Sequence, residues 1–145
     1  MDVEEVLLTW IWRTVGPVEH REDDPKPRFP ELPEAGGVYR IRTLGGNRSY
    51  IGQTANLRRR FSQYRNPQAS QTHTNRRVHD AVMELVRSRE TVIVEVVDEA
   101  YVQLSTGPRE REAVRMDLKW QRVMIEQAAE SSARVNHHEA LINKP

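Results

Sequence analysis

Hydrophobic and polar positions predict two elements before residue 35. Residues 3–13 carry apolar side chains at helical spacing and stop before Gly16-Pro17, which predicts an N-terminal helix. Apolar residues also occupy its other faces, so we expect the helix to be buried against its own domain or against a second subunit. Residues 19–34 are charged and contain four prolines, which predicts an extended linker.

The middle of the chain predicts a β-hairpin followed by two helices. The β-rich stretches 38–42 and 48–52 flank Gly45-Gly46-Asn47, which is typical of a hairpin with a glycine turn. Thr54 or Asn56 can cap a helix that ends near residue 65, and a second helix begins near Thr74. Their inward positions recur every three or four residues: Leu57, Phe61, Val78, Ala81, Val82, Leu85 and Val86.

The last third predicts one strand and one long helix. Residues 91–97 (TVIVEVV) form the clearest strand in the chain. Ser105 or Thr106 then caps a helix that tolerates Pro108 in its first turn and runs to about residue 132. Its apolar stripe consists of Val114, Leu118, Ile125 and Ala128. The order predicts an α+β fold: a small, three-stranded, mostly antiparallel sheet flanked by helices, with an extra N-terminal helix.

Composition excludes several classes of protein. A chain of 145 residues with 37% apolar and 30% charged residues has the composition of one globular domain. No apolar run approaches the roughly 20 residues that span a bilayer. Asp2, Glu4 and Glu5 give the N-terminus the wrong charge for a secretory signal. The absence of cysteine excludes disulfides, iron–sulfur clusters and thiolate nucleophiles.

The net charge of +1 hides an uneven distribution. Residues 35–79 contain no acid and nine arginines, which leaves 13 basic and 21 acidic residues elsewhere. Arginine favours bidentate phosphate contacts, so this block predicts a surface that binds polyanions rather than only a solvated face. The arginines expected to contact nucleic acid are Arg58, Arg59, Arg65, Arg76 and Arg77.

The hairpin carries the most informative motif. It reads Gly37-Val38-Tyr39, then ten residues, then Tyr50-Ile51-Gly52. Ala55-Asn56-Leu57-Arg58-Arg59-Arg60 follows after a short polar turn, and Phe29-Pro30-Glu31-Leu32-Pro33 precedes the hairpin. As a set, these residues resemble the GIY-YIG nuclease superfamily over roughly residues 29–140.

The resemblance implies a site. Gly37 and Gly52 belong to the two name-giving tripeptides, and the family's essential arginine, ten residues after the second tyrosine, falls on Arg60. Tyr64 stands where many members carry Tyr or His, and His73 stands where homing-type members carry a functional His.

The resemblance also implies a metal site on the last helix. The family's metal-binding glutamate matches Glu126, and the asparagine that follows it matches Asn136; Glu112 and Glu130 are the alternatives for the glutamate. Mg²⁺, or Mn²⁺ in its place, commonly uses only one or two protein carboxylates, so a single Glu126 is adequate.

The roles of the tyrosines stay open at this point. Tyr39 or Tyr50 could orient or deprotonate the attacking water, which for a phenol of pKa about 10 requires a lowered pKa. Both could instead be cross-strand packing partners, and Glu126 could simply face solvent. Arg60 and Tyr64 are four residues apart and share a helix face, so we expect them to converge with the hairpin tyrosines.

Three functions follow, of which the first is favoured. It is a divalent-metal-dependent endonuclease that hydrolyses DNA, of the compact, stand-alone restriction, phage or mobile-element type, because only nine residues follow Asn136. The others are a non-cleaving nucleic-acid-binding module and a domain that binds an acidic protein. These residues do not distinguish DNA from RNA.

Organisation and location follow from the favoured function. We expect residues 1–28 to form the helix and linker and residues 29–145 to form the nuclease domain. We also expect a homodimer through the N-terminal helix and a cytoplasmic, nucleoid-associated location without membrane contact.

Overall fold

A computed structural model describes residues 5–45, 48–68, 73–105, 114–115, 119–136 and 140–141. Its strands are β1 (Glu5–Pro17), β2 (Gly37–Thr43), β3 (Arg48–Thr54), β4 (Val92–Ser105), β5 (Val114–Arg115) and β6 (Ala140–Leu141). Its helices are α1 (Leu57–Arg65), α2 (His73–Arg87) and α3 (Lys119–Asn136). The predicted α+β class is confirmed. Over these ranges, no helix combines the length and apolar composition needed to cross a bilayer.

The sheet has four long strands rather than the three predicted, with two short strands added. Its order is β1-β4-β2-β3-β6, and β5 pairs with the C-terminal part of β4. All pairs are antiparallel except β3 with β6. The predicted hairpin is present, and its register places Tyr39 opposite Gly52 and Ile41 opposite Tyr50. Gly45 adopts a φ of 74° in the turn, whereas Gly46 and Asn47 lie outside the described residues.

The prediction of an N-terminal helix is wrong, because this segment is strand β1. Leu8, Trp10 and Trp12 are half-buried, whereas the alternate residues Leu7, Thr9 and Ile11 are exposed, so burial alternates with the period of a strand. Apolar residues lie on both faces of this strand, so some of them also fall three or four positions apart. That spacing is the pattern of a helix and explains the wrong prediction. The segment forms a strand because it pairs with β4 and because it is rich in β-branched and aromatic residues. The predicted homodimer therefore has no helix here through which to form, and dimerisation itself stays a prediction.

The long helix also begins later than predicted. The strand predicted over 91–97 continues through Ser105, because β1 supplies a partner along its whole length. Val114 belongs to β5, and α3 starts only at Lys119 and ends at Asn136. Ile125 is buried as expected, whereas Ala128 is half-buried and the adjacent Ala129 is buried. Thr106, Pro108 and Leu118 lie outside the described residues.

The helices cover both faces of the sheet. Asn56 caps α1 by accepting a hydrogen bond from the backbone N–H of Arg59, and α2 begins one residue before Thr74. The predicted inward residues of both helices, except the half-buried Ala81, pack on one face with Tyr39, Tyr50 and Val94. Ile125 and Ala129 of α3 pack on the other face against Val38 and Ile51. The hairpin therefore lies between α1 and α3.

Residues 18–36 follow the surface of the domain without a helix. Glu19 and Arg28 pair their backbones, and Pro27 and Leu32 are buried. Arg65 of α1 donates to the carbonyl of Pro27 at 2.7 Å, and Arg58 donates to that of Leu32 at 3.0 Å. Two arginines of α1 thus hold this segment in place.

A buried carboxylate joins the central strands. Glu95 of β4 is 5% exposed and accepts from Nε of Arg40 at 2.9 Å and from Nε of Arg42 at 2.6 Å. The guanidinium of Arg40 also lies 4.3 Å from the ring centroid of Trp12. Desolvation raises the pKa of Glu95, but the two arginines outweigh it and hold the pKa below its usual value. Glu95 thus links β4 to β2, and Arg40 in turn links β2 to Trp12 of β1.

We expect Glu95→Gln to lower the free energy of unfolding at pH 7 by about 3 kcal/mol, since it leaves two arginines without their anion. A carboxylate with a lowered pKa stabilises the fold above its unfolded-state pKa and loses that contribution as pH falls. Urea unfolding of wild type from pH 7 to about pH 3 should therefore show a loss of stability that is smaller in Glu95→Gln.

Asp98→Asn is the matched control, because it removes the exposed Arg13–Asp98 pair at 3.4 Å and should cost less than about 0.5 kcal/mol. Equal acid sensitivity of wild type and Glu95→Gln would contradict the assignment.

Candidate active site

Three tyrosines from three elements meet under α1. Tyr39 of β2, Tyr50 of β3 and Tyr64 of α1 are 1%, 5% and 0% exposed. The hydroxyl of Tyr64 bonds to that of Tyr39 and donates to that of Tyr50 at 3.4 Å. A hydroxyl has one hydrogen, so Tyr39 must be the donor to Tyr64. The structure thus brings Tyr64 together with both hairpin tyrosines, and the hydrogen bonds run from Tyr39 through Tyr64 to Tyr50.

The glycines of the two tripeptides make room for this cluster. Gly52 faces Tyr39 across the hairpin, and a Cβ there would lie 2.6 Å from Cζ of Tyr39 and 3.1 Å from Cε1 of Tyr50. A Cβ on Gly37 would lie 3.2 Å from Cδ1 of Leu57 in the first turn of α1. Gly52 is therefore required by the phenol that crosses it, and Gly37 lets α1 approach β2.

Burial keeps two of the tyrosines protonated. Desolvation raises the pKa of Tyr39 and of Tyr64 well above the usual value, and the nearby charge of Arg60 lowers each only partly. This is the opposite of the lowered pKa that a general base requires. At neutral pH both are therefore neutral hydrogen-bonding groups.

Arg60 lies beside the cluster and retains hydrogen-bonding capacity. Its charge lowers the pKa of Tyr39 and of Tyr64, and it precedes Tyr64 by four residues on α1, which places both on one helix face. Its Nε is buried and has no hydrogen-bond partner among the described residues. An unsatisfied buried donor costs about 1–3 kcal/mol, more when charged. An anion that accepts from this nitrogen would recover that cost.

Seven of the other arginines of the acid-free block divide into two groups, and the eighth, Arg48 at the start of β3, is half-buried. Acids from outside the block pair with Arg40, Arg42, Arg58 and Arg65, namely Glu95, Glu31, Glu34 and Asp24. Of the two paired arginines on α1, Arg65 makes the closer ion pair, at 3.2 Å from Asp24. Arg58 is half exposed and lies 3.7 and 3.9 Å from its two glutamates. Arg59, Arg76 and Arg77 are exposed on α1 and α2.

The remaining predicted residues lie on other elements. His73 is the exposed first residue of α2. Glu126 is half-buried and Glu130 is buried on α3, whose apolar residues pack on the sheet face opposite to the tyrosines. Asn136 ends α3, and Glu112 lies outside the described residues. In the described part of the chain, no group of three or more His, Asp or Glu residues could hold a metal.

Two residues that sequence reasoning missed border the site. His79 of α2 has Nδ1 2.8 Å from the carbonyl of Tyr64, which ties α2 to the end of α1. Arg122 of α3 reaches Gly36, where a Cβ would lie 2.5 Å from Nη1, and its Nε is a second buried donor without a partner in the described residues. One signal was available for Arg122: it precedes Glu126 by four residues and so shares its helix face.

The comparison with known families identifies the domain. The family model described as the GIY-YIG catalytic domain matches residues 35–117, which is more than half of the chain. The chain belongs to the GIY-YIG family. This domain is a nuclease-type fold, and its family generally comprises endonucleases that are typically dependent on divalent metal ions, so a nucleic acid is the implied substrate. The matched range contains the three tyrosines and Arg60, and Glu126 lies beyond its end. No solved structure matches the chain.

We expect Gly52→Ala to lower the free energy of unfolding by about 2 kcal/mol, because the added methyl group displaces a phenol that has no space to move into. Urea unfolding measures this change. Gly45→Asn is the matched control, since Gly45 is open to solvent and Asn tolerates its positive φ. A Gly52→Ala protein as stable as wild type would mean that the tyrosines are not held against Gly52.

We also expect the GIY-YIG domain to lose stability above about pH 10, where tyrosines of the unfolded chain ionise. Groups with a raised folded-state pKa stabilise the fold below their unfolded-state pKa and lose that contribution as pH rises. Unfolding free energies measured at alkaline pH should decline with a steeper slope in wild type than in Tyr64→Phe. Tyr101→Phe, which removes a half-exposed tyrosine, is the control and should keep the wild-type slope.

Proposed function

We propose that this GIY-YIG protein is a divalent-metal-dependent endonuclease that hydrolyses phosphodiester bonds in DNA, of the compact restriction, phage or mobile-element type. The observation that carries the proposal is the buried, unpartnered Nε of Arg60 beside three buried phenols. Every other described polar group of that cluster has a partner within it, so Arg60 retains a free donor for an anion.

Arg60 is the phosphate-binding group in this proposal. A guanidinium presents a planar fork that matches two phosphate oxygens, and a site away from bulk water strengthens the pairing. Hydrolysis adds negative charge to the phosphorane, so a fixed cation stabilises the transition state more than the ground state. Exposed Arg59, Arg76 and Arg77 would contact flanking phosphates without reading sequence.

The tyrosines divide the remaining roles between them. Tyr39 and Tyr64 stay neutral and orient groups by hydrogen bonds, because burial raises the pKa of each. Tyr50 stands at the accepting end of the chain of hydroxyls, so its own hydrogen is not used within the cluster. Tyr50 is therefore the hydroxyl that we assign to orienting the attacking water.

Residues on α3 fit a divalent ion that keeps most of its waters. Glu126 and Glu130 are four residues apart on one helix face, and one or two carboxylates suit Mg²⁺ or Mn²⁺. Glu126, the less buried of the two, would hold the ion, which when bound neutralises charge on the phosphate. Arg122, one turn earlier on α3, reaches the open end of the hairpin from which α1 departs.

The test is nicking of supercoiled plasmid DNA with Mg²⁺. We expect Arg60→Ala to lower the cleavage rate by about 10²–10³-fold, and Arg60→Lys to restore little of it because an ammonium lacks the fork. Arg59→Ala, the exposed neighbour on α1, should keep nearly the wild-type rate. DNA binding, measured by fluorescence anisotropy, should persist in Arg60→Ala.

Two further outcomes separate the alternatives. Glu126→Gln should abolish Mg²⁺-dependent nicking, and wild-type rates in Glu126→Gln together with loss in a folded Glu130→Gln would overturn the assignment of Glu126. Wild-type protein that binds DNA but cleaves it with neither Mg²⁺ nor Mn²⁺ would instead support a non-cleaving binding module.

A further inference from the structure

The outer edge of β1 lacks the usual protection of an edge strand. Within the described ranges β1 pairs only with β4, so its other edge carries unpaired backbone groups. Natural edge strands are blunted by proline, lysine, bulges or shortness. Residues 6–12 contain no charged residue, Pro or Gly. At the register shift between Ile11 and Trp12 the extra residue is Asp98 of β4, and the irregularity on β1 itself comes later, between Thr14 and Gly16. Such an edge favours pairing with another strand.

The same stretch exposes two large apolar side chains. Leu7 is 59% exposed and Ile11 is 48% exposed, and they share one face of the strand. Two of the four large apolar side chains that are exposed in the described residues are therefore on this short edge. Neighbouring Asp98 and Glu99 on β4 make the region acidic, which disfavours a nucleic acid as its occupant.

The sequence of β1 is complementary to itself in one antiparallel register. With Thr9 of each copy at the centre, position 7 faces position 11 and places Leu7 opposite Ile11, an apolar pair. Position 5, a glutamate, faces position 13, an arginine, so the charges are opposite at both ends of the paired stretch. Arg13 is 53% exposed even though it pairs with Asp98 of β4 at 3.4 Å.

We propose that a second copy of this chain pairs with β1 in that register, about a two-fold axis at Thr9, and joins the two sheets into one. A two-fold contact requires a surface that complements itself, which this register provides. Main-chain hydrogen bonds supply affinity, and the Leu7–Ile11 and 5–13 pairs fix the alignment. The pairing does not depend on cleavage.

The test is the mass of the full chain in solution without DNA, measured by sedimentation equilibrium over a range of concentrations. We expect a dimer of twice the 16.9 kDa chain mass. Leu7→Lys with Ile11→Lys should raise the dissociation constant by roughly tenfold or more, because four positive charges then meet at the contact. Both side chains are exposed in the single chain, so folding should be unaffected.

A charge exchange tests the register itself. Arg13→Glu places like charges at both ends and should weaken the dimer, and Glu5→Arg added to it should restore wild-type affinity. Asp98→Asn controls for the loss of the Arg13–Asp98 pair, and Leu44→Lys controls for removal of an exposed leucine elsewhere. A wild-type monomer at all concentrations, a dimer unaffected by the paired lysines, or failure of the exchange to restore affinity would each overturn the proposal.

Discussion

Close contact between Tyr39 and Gly52 is the constraint on which the rest of the site depends. The phenol crosses the neighbouring strand only because position 52 has no side chain, and this crossing brings its hydroxyl to Tyr64. A buried hydroxyl without a partner is costly, so α1 must deliver Tyr64 to this point. Tyr64 fixes the rotation of α1, which in turn places Arg60 beside the cluster.

The ion pairs of the described residues show how acids and arginines are matched in a chain of almost no net charge. Glu95 binds Arg40 and Arg42 on the face away from the tyrosines, and Asp24 binds Arg65 at the end of α1. The acid-free block is thus acid-free only along the sequence, because acids reach it from elsewhere in the fold. Among the described residues, this leaves the buried Nε of Arg60 without a hydrogen-bond partner, and Arg59 and Arg76 are exposed on α1 and α2.

Local signals made the centre of the domain predictable. The hairpin, the Asn56 cap and the inward residues of α1 and α2 each depend on neighbours within a few positions, and all are present. The two ends were not predictable in this way. Residues 5–17 become a strand because β4 pairs with them, and β4 extends to Ser105 for the same reason, so neither outcome is encoded by its own stretch alone. The pKa directions of Tyr39 and Tyr64 likewise depend on burial that only the packed helices create.

The pairing of β1 with β4 also has a consequence for biosynthesis. Glu5 pairs with Ser105, so β1 leaves the ribosome about 100 residues before its pairing partner is complete. During that interval Trp10 and Trp12 have no β4 to pack beside, while the hairpin and α1 can already form from local contacts. The nascent chain therefore carries an early apolar segment of the kind that chaperones bind, and completion of the sheet is a late folding step.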